Sequence, residues 1–146
     1  MNYDIENLEE LETFASDLLK TFKKKEHAQI IALNGDLGVG KTALTKACAK
    51  VLGITEAITS PTFVIQKEYK LSHDWYTKLI HIDAYRLESA QELEYLGWER
   101  LVSDPTNLIF IEWPGAVEGI SLPDVLSVSL SIMEGGVRSI AVDIQK

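Results

Sequence analysis

The sequence predicts a three-layer α/β domain whose central sheet mixes parallel and antiparallel strands. An apolar run at residues 29–34 leads into a glycine-rich loop and then a helical pattern, the order of a strand–loop–helix unit. Residues 108–111 are wholly apolar and bounded by turn residues, as expected of a strand buried on both faces. Two alternating segments close the chain around Glu134-Gly135-Gly136, which indicates an antiparallel hairpin.

The first predicted element is a helix that begins after Asn7. This residue can cap the helix, and Glu10 stands three positions on, as in a capping box. Three lysines at 23–25 follow its C-terminal end, where cations favour the helix dipole, so a solvated helix end explains them better than nucleic-acid binding. The apolar positions that recur at helical spacing are Leu8, Leu11, Ala15, Leu18, Leu19 and Phe22.

The middle of the chain predicts two strands and a helix. Residues 63–70 and 78–83 have the pattern of strands, and we interpret the second as the return arm of a hairpin. Ser89 with Glu92 resembles a second capping box and opens a helix that Gly97 interrupts. With the closing hairpin, these elements make a mixed sheet with helices on it.

Composition limits the class of protein. The chain has 146 residues, which fits a single domain spanning 1–146. It carries 14 basic and 22 acidic side chains, a net charge of −8, so its surface should repel nucleic acid and leave RNA to a partner. The one cysteine, Cys48, excludes an internal disulfide, and no apolar stretch is long enough to span a membrane. We therefore expect a cytoplasmic protein that does not bind membranes.

The segment from Gly35 to Thr42 matches the phosphate-loop pattern G-x-x-x-x-G-K-[ST], so we predict a P-loop NTPase-like fold. Its glycines let successive N–H groups turn toward an anion, and the helix beginning near Lys41 adds its positive dipole end. The Lys41 ammonium would contact the β- and γ-phosphates, and the Thr42 hydroxyl would ligate Mg²⁺. A chance match is disfavoured by the flanking strand and helix. The residues predicted to contact the nucleotide here are Asp36, Leu37, Gly38, Val39, Gly40, Lys41, Thr42 and Ala43, with the Asp36 side chain turned away from the phosphates.

Hydrolysis also needs a carboxylate for the metal and a group that holds water. Two apolar strands end in an acid, one at Asp83 and the other at Glu112, and either fits the metal-binding position. Ordinary strand-end acids in solvent are the alternative for both. The segment Ser60-Pro61-Thr62 is either a switch that senses the γ-phosphate or a simple turn before a strand.

Four segments together resemble the bacterial TsaE family, also called YjeE. They are the phosphate loop, Ser60-Pro61-Thr62-Phe63, His81-Ile82-Asp83-Ala84-Tyr85-Arg86, and Ile111-Glu112-Trp113-Pro114. The last two are more distinctive than the loop, which many proteins share. The similarity covers nearly the whole chain.

The resemblance implies an ATPase that uses ATP and Mg²⁺, yields ADP, and serves synthesis of N6-threonylcarbamoyladenosine in tRNA. It implies that the chain acts with the TsaD and TsaB proteins, that hydrolysis resets their complex, and that tRNA is met only through them. By the same resemblance Lys41, Thr62, Asp83 and Glu112 serve catalysis, and Thr42 with Glu112 completes the metal site. Asp83 would either orient the water or lie just outside the ligands of the metal. Trp113 supports the site or faces a partner, and Tyr85 and Arg86 are equally well structural.

One departure from the family concerns the base. The family usually has threonine in the first helix near the nucleotide base, and this chain has Leu11 there, which by its position is also a predicted nucleotide contact. The base contact would then come from the backbone or from a neighbour such as Glu10.

Other classes of nucleotide-binding protein need sequence features that can be checked in this chain. A phosphotransferase needs a lid with several arginines, but this chain has only Arg86, Arg100 and Arg138, which are dispersed. A regulatory GTPase is disfavoured because the guanine-reading motif N-K-x-D is absent from the sequence. The alternative that is not an enzyme is a nucleotide-gated binding module, in which bound ATP rather than its hydrolysis drives assembly with a partner.

Overall fold

The fold is a mixed seven-stranded sheet between two helical layers, among the residues that the computed structural model describes: 2–35, 40–56, 66–84, 90–112 and 125–144. The strands are β1 (Asn2–Ile5), β2 (Gln29–Asn34), β3 (Gln66–Lys70), β4 (Lys78–Asp83), β5 (Asn107–Glu112), β6 (Leu126–Ile132) and β7 (Arg138–Ile144). The helices are α1 (Leu8–Lys20), α2 (Lys41–Val51), α3 (Ala90–Tyr95) and α4 (Trp98–Ser103).

The strand order is β1-β7-β6-β2-β5-β4-β3. The four inner strands β6, β2, β5 and β4 pair in parallel, and antiparallel hairpins flank them on both sides. This arrangement confirms the predicted mixed sheet, and the pairing of β3 with β4 confirms the predicted hairpin. Every residue of β5 is buried, as predicted for a strand covered on both faces.

Alternate residues of β2 belong to two separate cores, one on each face of the sheet. Ile31 and Leu33 pack with α1 and α2, whereas Ile30 and Ala32 pack with Leu93 of α3 and Trp98 of α4. Because side chains alternate along a strand, this division tells which helices lie on which face. The phosphate-loop helix α2 therefore shares its face with α1.

The N-terminus of α1 is capped largely as the sequence predicts. Asn7 Oδ1 accepts a hydrogen bond from Glu10 N at 2.8 Å. The Glu10 carboxylate reaches back to the backbone N–H of Glu6 at 2.7 Å, one residue before the position that completes a capping box. This pair of side chains satisfies the otherwise unpaired N–H of Glu10 in the first turn and also the N–H of Glu6, which lies just before the helix.

Two elements were missed by the sequence analysis, and two predictions fall partly outside the described residues. Strand β1 and helix α4 were not predicted. The helix placed after Ser89 is α3, and Gly97, with a φ of 83°, ends it and starts α4. Of the strand predicted at 63–70, only β3 lies in the described part, and Ser89 itself lies outside it.

The predicted closing turn is present between β6 and β7. It is a short 3₁₀ segment in which Gly135 and Gly136 have φ values of 80° and 81°, a left-handed backbone that glycine adopts without strain. In the described part of the chain, none of the helices has the length and apolar character needed to cross a membrane.

The capping geometry predicts the effect of Asn7→Ala. Loss of the side-chain acceptor should lower the free energy of unfolding by about 1 kcal/mol, measured by urea denaturation. Asp17→Ala, at an exposed position within α1, is the control and should leave stability equal or higher. Equal stability of Asn7→Ala and the wild type would contradict the assigned cap.

Candidate functional site

Three parallel strands deliver the candidate residues to one edge of the sheet. In the register of β2 with β5, Leu33 lies opposite Glu112, and in that of β5 with β4, Glu112 lies opposite Asp83. Strand β2 runs on through Gly35 into the phosphate loop. The two predicted acids are therefore cross-strand neighbours beside the start of that loop, where ligands bind in open α/β sheets.

Both acids lie on the face that carries α2. Leu79 of β4 and Phe110 of β5 pack in the core beneath α1 and α2. Asp83 follows Leu79 by four residues and Glu112 follows Phe110 by two, so strand alternation puts both acids on that same face. Placement on the opposite face would have separated them from the phosphate-loop helix.

Lys41 is the first residue of α2 and directly follows the phosphate loop. Its Nζ donates a hydrogen bond to the Gly35 carbonyl at 2.6 Å, and the side chain is only 7% exposed. Gly40, the N-cap of α2, has a φ of 108°, which directs the chain from the loop into the helix. The half-buried Thr42 follows in the first turn, so an ammonium and a hydroxyl stand together at a helix N-terminus.

The buried carboxylate of Glu112 is electrostatically linked to two neighbours. Glu112 is 6% exposed, and its pKa is raised above the ordinary value, first by burial and then by the charge of Asp83, with Lys41 acting in the opposite direction. Asp83 itself is half-buried. Two acids and one ammonium thus form a charge cluster that an added cation would stabilise.

His81 lies one step deeper on the same face as Asp83. It is fully buried, and burial lowers the pKa of its imidazole to about 4, so the ring is neutral at physiological pH. Within the described part of the chain, neither Nδ1 nor Nε2 has a hydrogen-bond partner. The sequence analysis gave this histidine no role beyond its place in the His81–Arg86 motif.

A cavity of about 290 Å³ opens beside the first turn of α2. Leu11 and Ala43, both predicted to contact the nucleotide, line it together with Arg138. A Cβ added to Gly40 would lie 3.0 Å from Arg138 Nη1, so the guanidinium sits directly against the end of the loop. Arg138 comes from β7 and was missed as a site residue, because no local spacing relates it to the loop.

Several predicted site residues lie outside the described part of the chain. They are Asp36, Leu37, Gly38 and Val39 of the loop, Ser60, Pro61 and Thr62 of the switch segment, Tyr85 and Arg86, and Trp113. The described part brings together Leu11, Gly40, Lys41, Thr42, Ala43, Asp83 and Glu112 at one end of the sheet.

The chemistry of the donors fits a hard divalent cation. The Thr42 hydroxyl and the Glu112 carboxylate offer oxygen atoms, which Mg²⁺ prefers, and this ion commonly takes only one or two carboxylates and completes its shell with water and phosphate oxygens. Among the described residues, no three His, Cys, Asp or Glu side chains cluster as a self-contained metal site. A cation here would therefore depend on ligands that a phosphate supplies.

Comparison with known proteins identifies a family. Residues 5–140 match the family described as "Threonylcarbamoyl adenosine biosynthesis protein TsaE". A curated protein of that biosynthesis, TsaE of Rickettsia felis, is 34% identical over 135 residues, which are 92% of this chain and 74% of the relative. TsaE of Bacillus subtilis is 42% identical over 89 residues, 61% of this chain and 52% of that protein.

A solved structure has the same fold. The crystal structure of Bacillus subtilis YdiB superposes with a TM-score of 0.72 and 27% sequence identity. The match covers 96% of this chain and 82% of that chain.

The buried Glu112 predicts a pH-dependent stability. Because its folded pKa is raised above the ordinary 4.5, the folded state binds more protons than the unfolded state between those two values. Stability is therefore lost as the pH rises through that window. Without nucleotide or Mg²⁺, Glu112→Gln should be more stable than the wild type at pH 7, and this difference should vanish below about pH 4.5.

Urea denaturation at both ends of this pH range measures the effect. Glu94→Gln, which neutralises an exposed acid on α3, is the matched control and should show no such pH-dependent gain. Parallel pH profiles for Glu112→Gln and the wild type would show that burial does not penalise this carboxylate.

Proposed function

This chain belongs to the TsaE family, and we propose that it is a magnesium-dependent ATPase of threonylcarbamoyladenosine biosynthesis. The match to the family supports a role in that biosynthesis. The ATPase activity is supported by one observation above all: Asp83 and Glu112 lie in register, on the face of α2, beside the start of the phosphate loop.

The proposed roles follow from the chemistry of each side chain. The Lys41 ammonium and the N-terminus of α2 bind the β- and γ-phosphates of ATP. The Thr42 hydroxyl and the Glu112 carboxylate would hold Mg²⁺, which when bound neutralises phosphate charge. The raised pKa of Glu112 fits this role, because a cation would relieve the cost of burying the carboxylate.

Asp83 is proposed to hold the attacking water. Its carboxylate accepts a hydrogen bond from that water and orients the oxygen toward the γ-phosphorus. The oxygen–phosphorus bond then forms while the bond to the β–γ bridging oxygen breaks, leaving ADP and phosphate. Glu112 is assigned to the metal rather than to the water because it is the more deeply buried acid and the nearer of the two to β2.

The nucleoside is proposed to occupy the cavity lined by Leu11, Ala43 and Arg138. Leu11 offers an apolar surface in place of the family's usual threonine, and the Arg138 guanidinium can stack on a base or contact a phosphate.

The proposed partners are the TsaD and TsaB proteins. ATP hydrolysis would reset the complex of these two proteins between turnovers. The net charge of −8 suits a subunit that docks on proteins and leaves tRNA to them. We expect this protein to be cytoplasmic, as its partners would be.

Phosphate release from ATP tests the function. The pure protein should hydrolyse ATP slowly, and the rate should change when the TsaD–TsaB pair and tRNA are added. Lys41→Ala should weaken ATP binding by roughly 10- to 100-fold, since it removes a charged hydrogen bond to phosphate. Lys46→Ala, an exposed lysine of the same helix, is the control and should bind normally.

Two outcomes would count against this proposal. Undiminished ATP binding by Lys41→Ala would contradict the assignment of this segment as the phosphate-binding loop. Sustained modification over many turnovers with a non-hydrolysable ATP analogue would favour the nucleotide-gated binding module.

The two acids can be told apart by magnesium titration of ATP hydrolysis. Glu112→Ala should raise the Mg²⁺ concentration needed for half-maximal rate by roughly tenfold or more, because it removes a metal ligand. Asp83→Ala should instead lower the maximal rate by about 10²-fold with a smaller shift in Mg²⁺ dependence. The reverse order would mean that the two roles are exchanged.

A further inference from the structure

A groove of about 440 Å³ lies at the end of the sheet opposite the phosphate loop. Helices α1 and α2 both end there, and the turn between β3 and β4 forms its third side. Helix α2 runs from Lys41 beside the loop to Val51 in the groove, which separates the two places by roughly 15 Å. The apolar side chains that line the groove are Leu19, Phe22, Val51, Leu52 and Trp75.

This groove exposes apolar surface drawn from three separate elements. Val51 is 43% exposed, and Leu19, Leu52 and Trp75 are half-buried. Single apolar side chains scattered over a surface are ordinary in folded proteins. An apolar concavity shared by two helix ends and a turn is instead typical of a surface that buries a side chain of another molecule.

His73 holds the turn that forms one wall of the groove. The backbone N–H of Trp75 donates a hydrogen bond to His73 Nδ1 at 3.0 Å. The imidazole also stacks on Tyr76, with ring centroids 5.1 Å apart, and meets Trp75 edge-on at 5.5 Å. Because Nδ1 accepts a hydrogen bond, the neutral ring carries its hydrogen on Nε2 and can donate it to a bound acceptor. A wall that is already ordered lowers the entropic cost of binding.

The rim of the groove is basic although the chain as a whole is acidic. Lys20 lines the groove, and Lys23, Lys24 and Lys25 come directly after the end of α1. The first three of these lysines are exposed, and none of the four forms an ion pair with any residue that the structure describes. Asp74, which is exposed, is the acid that also lines the groove. A local excess of positive charge therefore adjoins the apolar surface.

We infer that this groove is a docking site for an acidic segment of a partner protein. An apolar side chain of the segment would insert between the ends of α1 and α2 and the Trp75 ring. Its carboxylates would accept hydrogen bonds from Lys20 Nζ and His73 Nε2, which gives the contact its charge complementarity.

RNA fits this groove less well than an acidic protein segment does. Nucleic acid binds through aromatic faces on which bases stack, whereas the most exposed lining side chain here is the aliphatic Val51. The net charge of −8 also opposes a long polyanion, but a short acidic segment meets only the basic rim. Docking here leaves the phosphate loop open and does not depend on the proposed ATPase activity.

An NMR titration of the full chain tests this docking site. The probe is a peptide of about twelve residues that presents leucines on one helical face and glutamates on the other. It should shift the amide resonances of Val51 and Leu52 and the indole N–H of Trp75, with a Kd of about 0.1–1 mM. The same peptide with glutamine in place of glutamate should bind at least about fivefold more weakly, because it lacks the carboxylates.

Two pairs of variants assign the binding to the groove. Val51→Asp should weaken binding of the acidic peptide by about tenfold or more, since it places a carboxylate on the apolar surface. Ile132→Asp, at a similarly exposed apolar position on β6, is its matched control and should bind like the wild type. Lys20→Glu should weaken binding by roughly three- to tenfold, and Lys46→Glu, on the exposed side of α2, should have a smaller effect.

Several results would overturn the docking site. They are equal binding of the glutamate and glutamine peptides, equal binding by Val51→Asp and the wild type, and no shift of groove resonances at millimolar peptide. Groove shifts produced by single-stranded oligouridylate and not by the peptide would assign the groove to RNA. Self-association of the wild type that Val51→Asp abolishes would assign it to a second copy of this chain. A protein that binds the peptide in the groove but does not hydrolyse ATP would support the docking site and contradict only the proposed function.

Discussion

The parallel pairing of β2, β5 and β4 is the constraint on which the candidate site depends. Parallel strands end at the same edge, and the register sets Leu33, Glu112 and Asp83 side by side there. A slip of one residue in β5 would turn Glu112 to the α3 and α4 face. The deep burial of these strands on both faces protects the register, since a slipped strand would reverse its pattern of packing.

The same burial makes the site electrostatically strained. Burial and the charge of Asp83 raise the pKa of Glu112, Lys41 partly compensates, and the buried ring of His81 stays neutral. Glu112 remains penalised by its surroundings, and within the described part of the chain neither ring nitrogen of His81 has a hydrogen-bond partner. A bound cation would relieve the cost of burying the Glu112 carboxylate, which is the physical reason for regarding this cluster as a candidate binding site.

The sequence predicted the local features well where neighbours along the chain decide them. Asn7 caps α1, the glycines at 135 and 136 turn the last hairpin, and the apolar run around Ile109 forms a buried strand. It missed β1, because a four-residue strand becomes recognisable only when β7 pairs with it. It missed α4 because six residues after a glycine carry too little periodicity to predict a helix.

By itself, the sequence determined that a glycine loop, an ammonium and a hydroxyl adjoin a helix start, and that two strands end in acids. Those features are set by residues within a few positions of one another. Only the tertiary structure decided that both acids share the face of α2, that Arg138 from β7 lies against Gly40, and that His81 lies buried behind Asp83. Such placements depend on strand register and on contacts between distant segments, for which the pattern of neighbouring residues carries no signal.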